Sequence, residues 1–233
     1  MNPKGVMAIN GCDEQSILCC PAELKNKRIL GCIQIKDLNN VDQEKNLIIQ
    51  AHSSTLSNLQ LNDSGSLVAS ASEKGTLIRI FCTKTGKKLQ ELRRGSDNAM
   101  VFSLSFHYED EWLSCISDSG TLHIFSLLSD LGKQKIREKA KKKKEKTKNR
   151  KMMLSFMSFL STYFGSEYSF AHFKNRFDSR TKVFFLPNFM VLLVSYGGNM
   201  SLISFNKDTG GNCKEEMTGN IFMPYYDNII PKT

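Results

Sequence analysis

Two adjacent arginines, Arg93-Arg94, in the run Glu91-Leu92-Arg93-Arg94-Gly95-Ser96, carry the clearest chemistry in this sequence. A guanidinium is planar, always charged and presents its N–H groups as a fork, which suits bidentate binding of phosphate. Neighbouring side chains on an extended backbone point to opposite faces. Two adjacent arginines on a strand can therefore serve two separate anion pockets, one on each side. A solvated surface pair has the same dipeptide, so the neighbouring residues decide between the two readings.

Those neighbours are polar side chains in a repeated frame. Ser119, Thr121 and His123 alternate, so on a strand they share one face near Arg94. Ser72 and Thr76 share parity one repeat earlier, next to Arg93, and His52 opens that repeat's first strand. Ser and Thr in Gly-Thr turns also satisfy local backbone groups, which is the plain structural alternative.

The elements that position these residues are repeats. Ser72-Glu73-Lys74-Gly75-Thr76-Leu77-Ile78-Arg79-Ile80-Phe81 and Ser117-Asp118-Ser119-Gly120-Thr121-Leu122-His123-Ile124-Phe125 read as copies of one another. A glycine followed by an apolar strand recurs at Gly31, Gly75, Gly120 and Gly198, at spacings of 44, 45 and 78 residues. Periods of about 40–45 residues holding several short strands and turn signals indicate propeller blades. Strand patterns at Leu56–Leu61, Leu67–Ser70 and Phe102–Phe106 agree. The expected fold is all-β: a β-propeller of WD-repeat-like four-stranded blades, with about four blades in residues 1–233. The longest interval is stretched by an insertion over residues 126–165.

That insertion has two halves. Lys133–Lys151 holds twelve Lys/Arg against Glu138 and Glu145, which leaves the rest of the chain with 20 basic and 21 acidic residues. The net charge of +9 therefore describes one segment, and a nucleic-acid groove lined by the whole fold is disfavoured. In the second half, Met153, Phe156, Met157, Leu160, Tyr163 and Phe164 fall at i, i+3, i+4 spacing on a helix, with Ser155, Ser158 and Thr162 opposite. A basic run followed by an amphipathic apolar segment suits adsorption to an anionic membrane surface. The alternative is a lysine-rich insert followed by an ordinary core strand.

Other chemistries find little support. The seven cysteines form no Cys-x-x-Cys, and the four histidines, His52, His107, His123 and His172, have no metal-ligand spacing with them. No nucleophile elbow, phosphate-binding glycine loop or dinucleotide fingerprint is present, so no enzyme, cofactor or metal is expected. Glu109-Asp110-Glu111 reads as a solvated turn in a hairpin. The unpatterned thiols and the missing signal peptide fit a reduced, cytoplasmic setting.

The run from Ala51-His52 through Ser72–Thr76, Leu92-Arg93-Arg94-Gly95 and Gly120–Phe125 resembles the PROPPINs, the WIPI-type propellers that bind phosphoinositides in autophagy. The family signature is Phe- or Leu-Arg-Arg-Gly, and this chain has the Leu form. The resemblance implies seven blades, so the chain reads as lacking the N-terminal ones. It implies two phosphoinositide sites, one of His52, Ser72, Thr76 and Arg93, the other of Arg94, Ser119, Thr121 and His123. It also implies that the insertion is the family's membrane-inserting loop, using Met153, Phe156, Met157, Leu160 and Phe164. The function implied is a peripheral membrane scaffold recognising phosphatidylinositol 3-phosphate and the 3,5-bisphosphate, on phagophore or endosomal and vacuolar membranes. A bridge-like lipid-transfer protein is the implied partner. The alternatives are a protein-interaction propeller without lipid affinity and an RNA-associated repeat protein with a basic tail.

Overall fold

The structure, a computed structural model, describes residues 2, 4–10, 16–24, 27–39, 47–127, 167–177 and 180–222. It holds four sheets and, among the described residues, no helix. The first blade is β1 (Ala8–Ile9), β2 (Ile17–Leu24), β3 (Lys27–Asp37) and β4 (Leu47–Gln50). The second is β5 (Leu56–Leu61), β6 (Leu67–Ser72), β7 (Leu77–Cys82) and β8 (Lys88–Arg93). The third begins with β9 (Val101–Phe106), β10 (Trp112–Ser117) and β11 (Thr121–Ser126), and the two-residue strand β12 (Glu167–Tyr168) precedes its outer strand β13 (Ala171–Lys174). The fourth is β14 (Thr181–Leu186), β15 (Met190–Ser195), β16 (Asn199–Ser204) and, after the short β17 (Gly211–Asn212), β18 (Lys214–Asn220).

Each blade is an antiparallel meander whose strands pair in chain order. The two short strands are additions at the rim. β12 pairs in parallel with β8, and β17 in parallel with β13, so the segment entering each outer strand is stitched to the blade before it. The all-β propeller expected from the repeats is what forms.

The core lies between blades, because both faces of an inner blade are covered. Val68 and Phe81 of the second blade join Ile33, Ile35 and Ile49 of the first in one cluster. Ile78, Ile80 and Leu92 join Leu104, Leu113 and Phe125 of the third in another. A third cluster joins the third and fourth blades through Ile124, Val191, Leu193 and Ile203. β6 and β10, sandwiched on both faces, are made partly of small residues; Ala69, Ser70, Ala71, Ser114 and Cys115 are fully buried. Neighbouring inner strands are tied by side chains on their free edges. Asn58 donates to the Phe102 carbonyl (3.2 Å), while Ser103 and Ser105 hydroxyls accept from Val183 and Phe185 N–H (3.3 Å each).

Two left-handed glycines approach the next segment of chain closely. Gly75 has φ +61°, and a Cβ there would stand 1.7 Å from the Ala99 carbonyl oxygen. Only glycine fits both the left-handed backbone and the contact. This holds the β6–β7 turn against the segment leading into β9, reinforced by Ala99 N–H donating to the Lys74 carbonyl (3.1 Å). Gly31 likewise accepts from Ala51 and His52 N–H and leaves no room for a side chain against the His52 carbonyl. The apolar stretch Val183–Tyr196 is the β14–β15 hairpin, turning at Pro187-Asn188-Phe189.

Candidate anion-binding sites

Arg93 is the last residue of β8 and faces Leu77 across the sheet. Alternation along β7 and β8 puts Arg93 on the side of Glu91 and Arg79. Arg79 reaches toward the first blade, donating from Nη1 to the Ala51 carbonyl (2.6 Å). Arg94, one residue on, turns the other way, toward the third blade. By strand alternation the two adjacent arginines thus point to opposite sides of the second blade.

Arg94 is only 8% exposed. Its Nε donates to the Gly75 carbonyl (2.7 Å), one Nη to the Asp97 carbonyl, and Nη1 lies 3.5 Å from the Ser119 hydroxyl. All three partners are neutral oxygens, and among the described residues no carboxylate pairs with it. Its own N–H is fixed on the Thr76 carbonyl (3.0 Å). A charge taken out of water without a counter-charge is costly, so a buried arginine held only by neutral groups is poised for an anion.

Ser119 reaches this groove by a route different from the one alternation assumes. The Gly120 turn (φ +71°) ends before β11 begins at Thr121, so only Thr121 and His123 share a strand face. Ser119 sits in the turn, hydroxyl to hydroxyl with Ser117 at 2.8 Å. His123 lies opposite Cys115 on one side and His172 on the other. Burial, reinforced by Arg94 and then His172, pushes its imidazole down to about 4, and its Nδ1 is buried without a hydrogen-bond partner among the described residues. Arg94 thus lies beside Ser119 and close enough to His123 to act on it, and Thr121 shares the His123 strand face.

The groove between the first and second blades is assembled differently from the expected set. His52 lies in the connection before β5, 5% exposed, with Nε2 against the Ser70 hydroxyl at 2.9 Å. Burial, then the nearby Arg79, lowers its pKa to about 4 against the weaker opposing pull of Ser70 and Glu91. Ser72 is buried at the end of β6, and Thr76 is half-buried in the turn, where its carbonyl serves Arg94 and Gly95. The turn at Gly75 separates Ser72 from Thr76, so strand parity does not link them. Ser70 and Arg79 therefore join His52 in place of the simple alternation. The signal was present: Ser70 and Arg79 are cross-strand partners in the β6–β7 hairpin. Arg79 Nε meets Glu91 Oε2 at 2.7 Å, and Lys88 Nζ meets the same oxygen at 3.2 Å. Burial works to raise the Glu91 pKa, but Arg79 and Lys88 outweigh it and hold the carboxyl low.

Met153, Phe156, Met157, Leu160 and Phe164 lie outside the described residues, as does the whole basic run. The chain leaves β11 at Ser126 and returns to β12 at Glu167, so the insertion falls between the third and fourth strands of the third blade. No helix among the described residues is long and apolar enough to cross a membrane. No group of three or more His, Cys, Asp or Glu among them is placed to hold a metal.

A profile of the PROPPIN family matches residues 1–218. The chain belongs to the PROPPIN family. It is similar to SVP1-like protein 2 of Debaryomyces hansenii, 49% identical over 102 residues, which cover 43% of this chain and 24% of that protein. It is also similar to autophagy-related protein 18e of Arabidopsis thaliana, 38% identical over 132 residues, 56% of this chain and 33% of that one. Among solved structures, Hsv2 of Kluyveromyces lactis superposes with a TM-score of 0.66 at 22% identity, covering 92% of this PROPPIN and 61% of that chain. Atg21 in its complex with the coiled-coil of Atg16 gives 0.64 at 20% identity. These likenesses establish the propeller fold, and the matched stretches span a quarter to a third of the two curated relatives.

Proposed function

We propose that this PROPPIN is a non-enzymatic, phosphoinositide-reading scaffold that binds membranes peripherally. The observation that carries the reading is Arg94: buried, permanently charged and, among the described residues, bonded only to neutral oxygens, beside Ser119, Thr121 and His123. A phosphomonoester supplies the missing counter-charge and acceptor oxygens in one group. Arg93, Arg79, Ser70, Ser72, Thr76 and His52 form the second headgroup groove one blade earlier. Phosphatidylinositol 3-phosphate and the 3,5-bisphosphate are the ligands this assignment names.

Residues 126–165 serve as the membrane contact in this proposal. Lysines near an anionic surface add about 1 kcal/mol each, while the pockets choose the headgroup. The setting is autophagosome formation or endosomal traffic, in line with the autophagy-related names of the relatives. A bridge-like lipid-transfer protein is the proposed partner, and the coiled-coil complex of Atg21 supports a scaffold role more generally. The test is liposome flotation with phosphatidylinositol 3-phosphate against phosphatidylserine alone. Wild type should float with the first and far less with the second, and the Arg93→Ala/Arg94→Ala double variant should stay in solution. Equal flotation of the double variant would refute the assignment.

A further inference from the structure

We propose that His172 and Lys174, on the outer strand of the third blade, are additional ligand residues of the groove around Arg94, and that they fit it for an inositol headgroup bearing a second phosphate. The inference rests on the phosphoinositide reading of that groove.

Backbone register places both residues there. β11 and β13 pair Thr121 with Lys174 and His123 with His172. Directly opposed residues in an antiparallel pair project from the same face with Cβ atoms about 4.5–5.5 Å apart. Lys174 and His172 therefore share the face that Thr121 and His123 turn toward Arg94. Lys174 confirms this by its own contact: its Nζ donates to the Ser119 carbonyl at 2.7 Å, while Arg94 Nη1 approaches the hydroxyl of that same residue. The ammonium and the guanidinium converge on one serine. Lys174 and His172 are both exposed, so a ligand can reach them. No carboxylate among the described residues pairs with either Arg94 or Lys174.

The neighbouring groove shows what the arrangement is not. It has the same frame one blade earlier, with Leu77 opposite Arg93 and Arg79 opposite Glu91. Where the Arg94 groove has two imidazoles, this one has a carboxylate closed onto Arg79 at 2.7 Å. Glu91 already engages both Arg79 and Lys88, so fewer cations there are left to meet a second phosphate. The Arg94 groove has two cationic side chains and two imidazole rings on one face, which suits two phosphates on one ring. The two grooves thus differ in the number of phosphates they accept.

Liposome flotation with phosphatidylinositol 3-phosphate or the 3,5-bisphosphate tests this, alongside calorimetric titration of inorganic phosphate, inositol 1,3-bisphosphate and inositol 1,3,5-trisphosphate. To isolate the groove, all variants carry Arg93→Ala. On that background Lys174→Ala should weaken the 3,5-bisphosphate about tenfold, as befits one charge-assisted hydrogen bond, and the 3-phosphate much less. His172→Ala should act in the same direction. Lys207→Ala, which removes an equal charge from a lysine lying over the Phe189 ring in the fourth blade, controls for net charge. If Lys174→Ala lowers both lipids equally, or neither, the assignment of a second-phosphate contact is wrong while the headgroup reading stands. If the Arg93→Ala parent binds neither lipid above phosphatidylserine, or binds inorganic phosphate as tightly as the inositol phosphates, the headgroup reading of this groove fails and the inference falls with it.

Discussion

Arg79 and His123 hold the same place in successive blades: each is the third residue of its blade's third strand, and each faces the outer strand, at Glu91 in one blade and His172 in the next. One pair is a closed ion pair and the other is two imidazoles. The same backbone therefore presents a fixed charge pattern on one side of the second blade and a titratable one on the other.

The first prediction follows for pH. His123 is neutral near pH 7, because burial, then Arg94, then His172 hold it down at about 4; the other group facing it, the Cys115 thiol, is pushed up by burial to about 12 and is neutral as well. A phosphate bound beside His123 favours the charged ring, so its pKa rises in the complex and binding takes up protons. Affinity should increase as pH falls through the raised, ligand-bound pKa, with the gain complete near the unliganded value. Headgroup titration of the Arg93→Ala variant between about pH 7.5 and about pH 5.5 should show this rise, and His123→Gln should flatten it. A slope that survives His123→Gln would place the proton elsewhere.

The second prediction concerns the turn that carries the Arg94 acceptor. Gly75→Ala sets a methyl against the Ala99 carbonyl at 1.7 Å and imposes left-handed backbone on a residue that disfavours it. Strain of this kind costs about 1–3 kcal/mol before the clash is counted. Because the Gly75 carbonyl holds Arg94 Nε, stability and binding should fall together. Gly95→Ala, which meets nothing within 4 Å, should leave the unfolding temperature close to wild type. Thermal unfolding and flotation of the two variants side by side separate the outcomes.

Much of the fold and part of the site are legible in the sequence. The Gly-x strand repeat at Gly31, Gly75, Gly120 and Gly198 marks the third strand of each blade: Gly75, Gly120 and Gly198 take left-handed backbone in the tight turn just before that strand, while Gly31 takes it inside β3. The opposite facing of Arg93 and Arg94 is legible because strand alternation is local. His52 with Ser70 and Arg79 is not, since the imidazole reaches across a blade boundary that no local period encodes. Ser119 meets Arg94 from a turn, where alternation has no force. His172 and Lys174 follow the insertion, which breaks the blade period between β11 and β13 and hides their pairing with His123 and Thr121.

The third prediction separates charge from recognition. Twelve of the 32 Lys/Arg lie in Lys133–Lys151, outside the described residues, whereas the candidate grooves lie in the near-neutral remainder. Deleting Lys133–Lys151 should weaken binding to every anionic liposome yet preserve the preference for 3-phosphorylated lipids. Raised salt should imitate the deletion, because exposed charges are screened over about 8–10 Å at physiological ionic strength. If the preference itself disappears with the run, the lysines and not the grooves read the lipid.

The fourth prediction concerns Met153, Phe156, Met157, Leu160 and Phe164, also outside the described residues, whose i, i+3, i+4 spacing beside the basic run gives the apolar stripe of a membrane-surface helix. Fully burying a large apolar side chain contributes about 1.5–3 kcal/mol, and interfacial burial is shallower, so the lower end applies to each. Phe156→Asp with Leu160→Asp removes two such contacts and adds two charges that anionic lipid repels. The soluble inositol phosphates should still bind this variant, because the proposed groove residues lie on the connection holding His52, on β6–β8, β11 and β13, and in the turns at Gly75 and Gly120, all outside residues 126–165. Liposome attachment should nevertheless be lost or become rapidly reversible. An environment-sensitive dye at Ser158, on the polar side of the stripe, should report no transfer to an apolar phase, whereas the same dye at Met157 should. Attachment that survives the Asp pair, or a dye at Met157 that stays in water, would leave this segment as ordinary chain and move the anchor elsewhere.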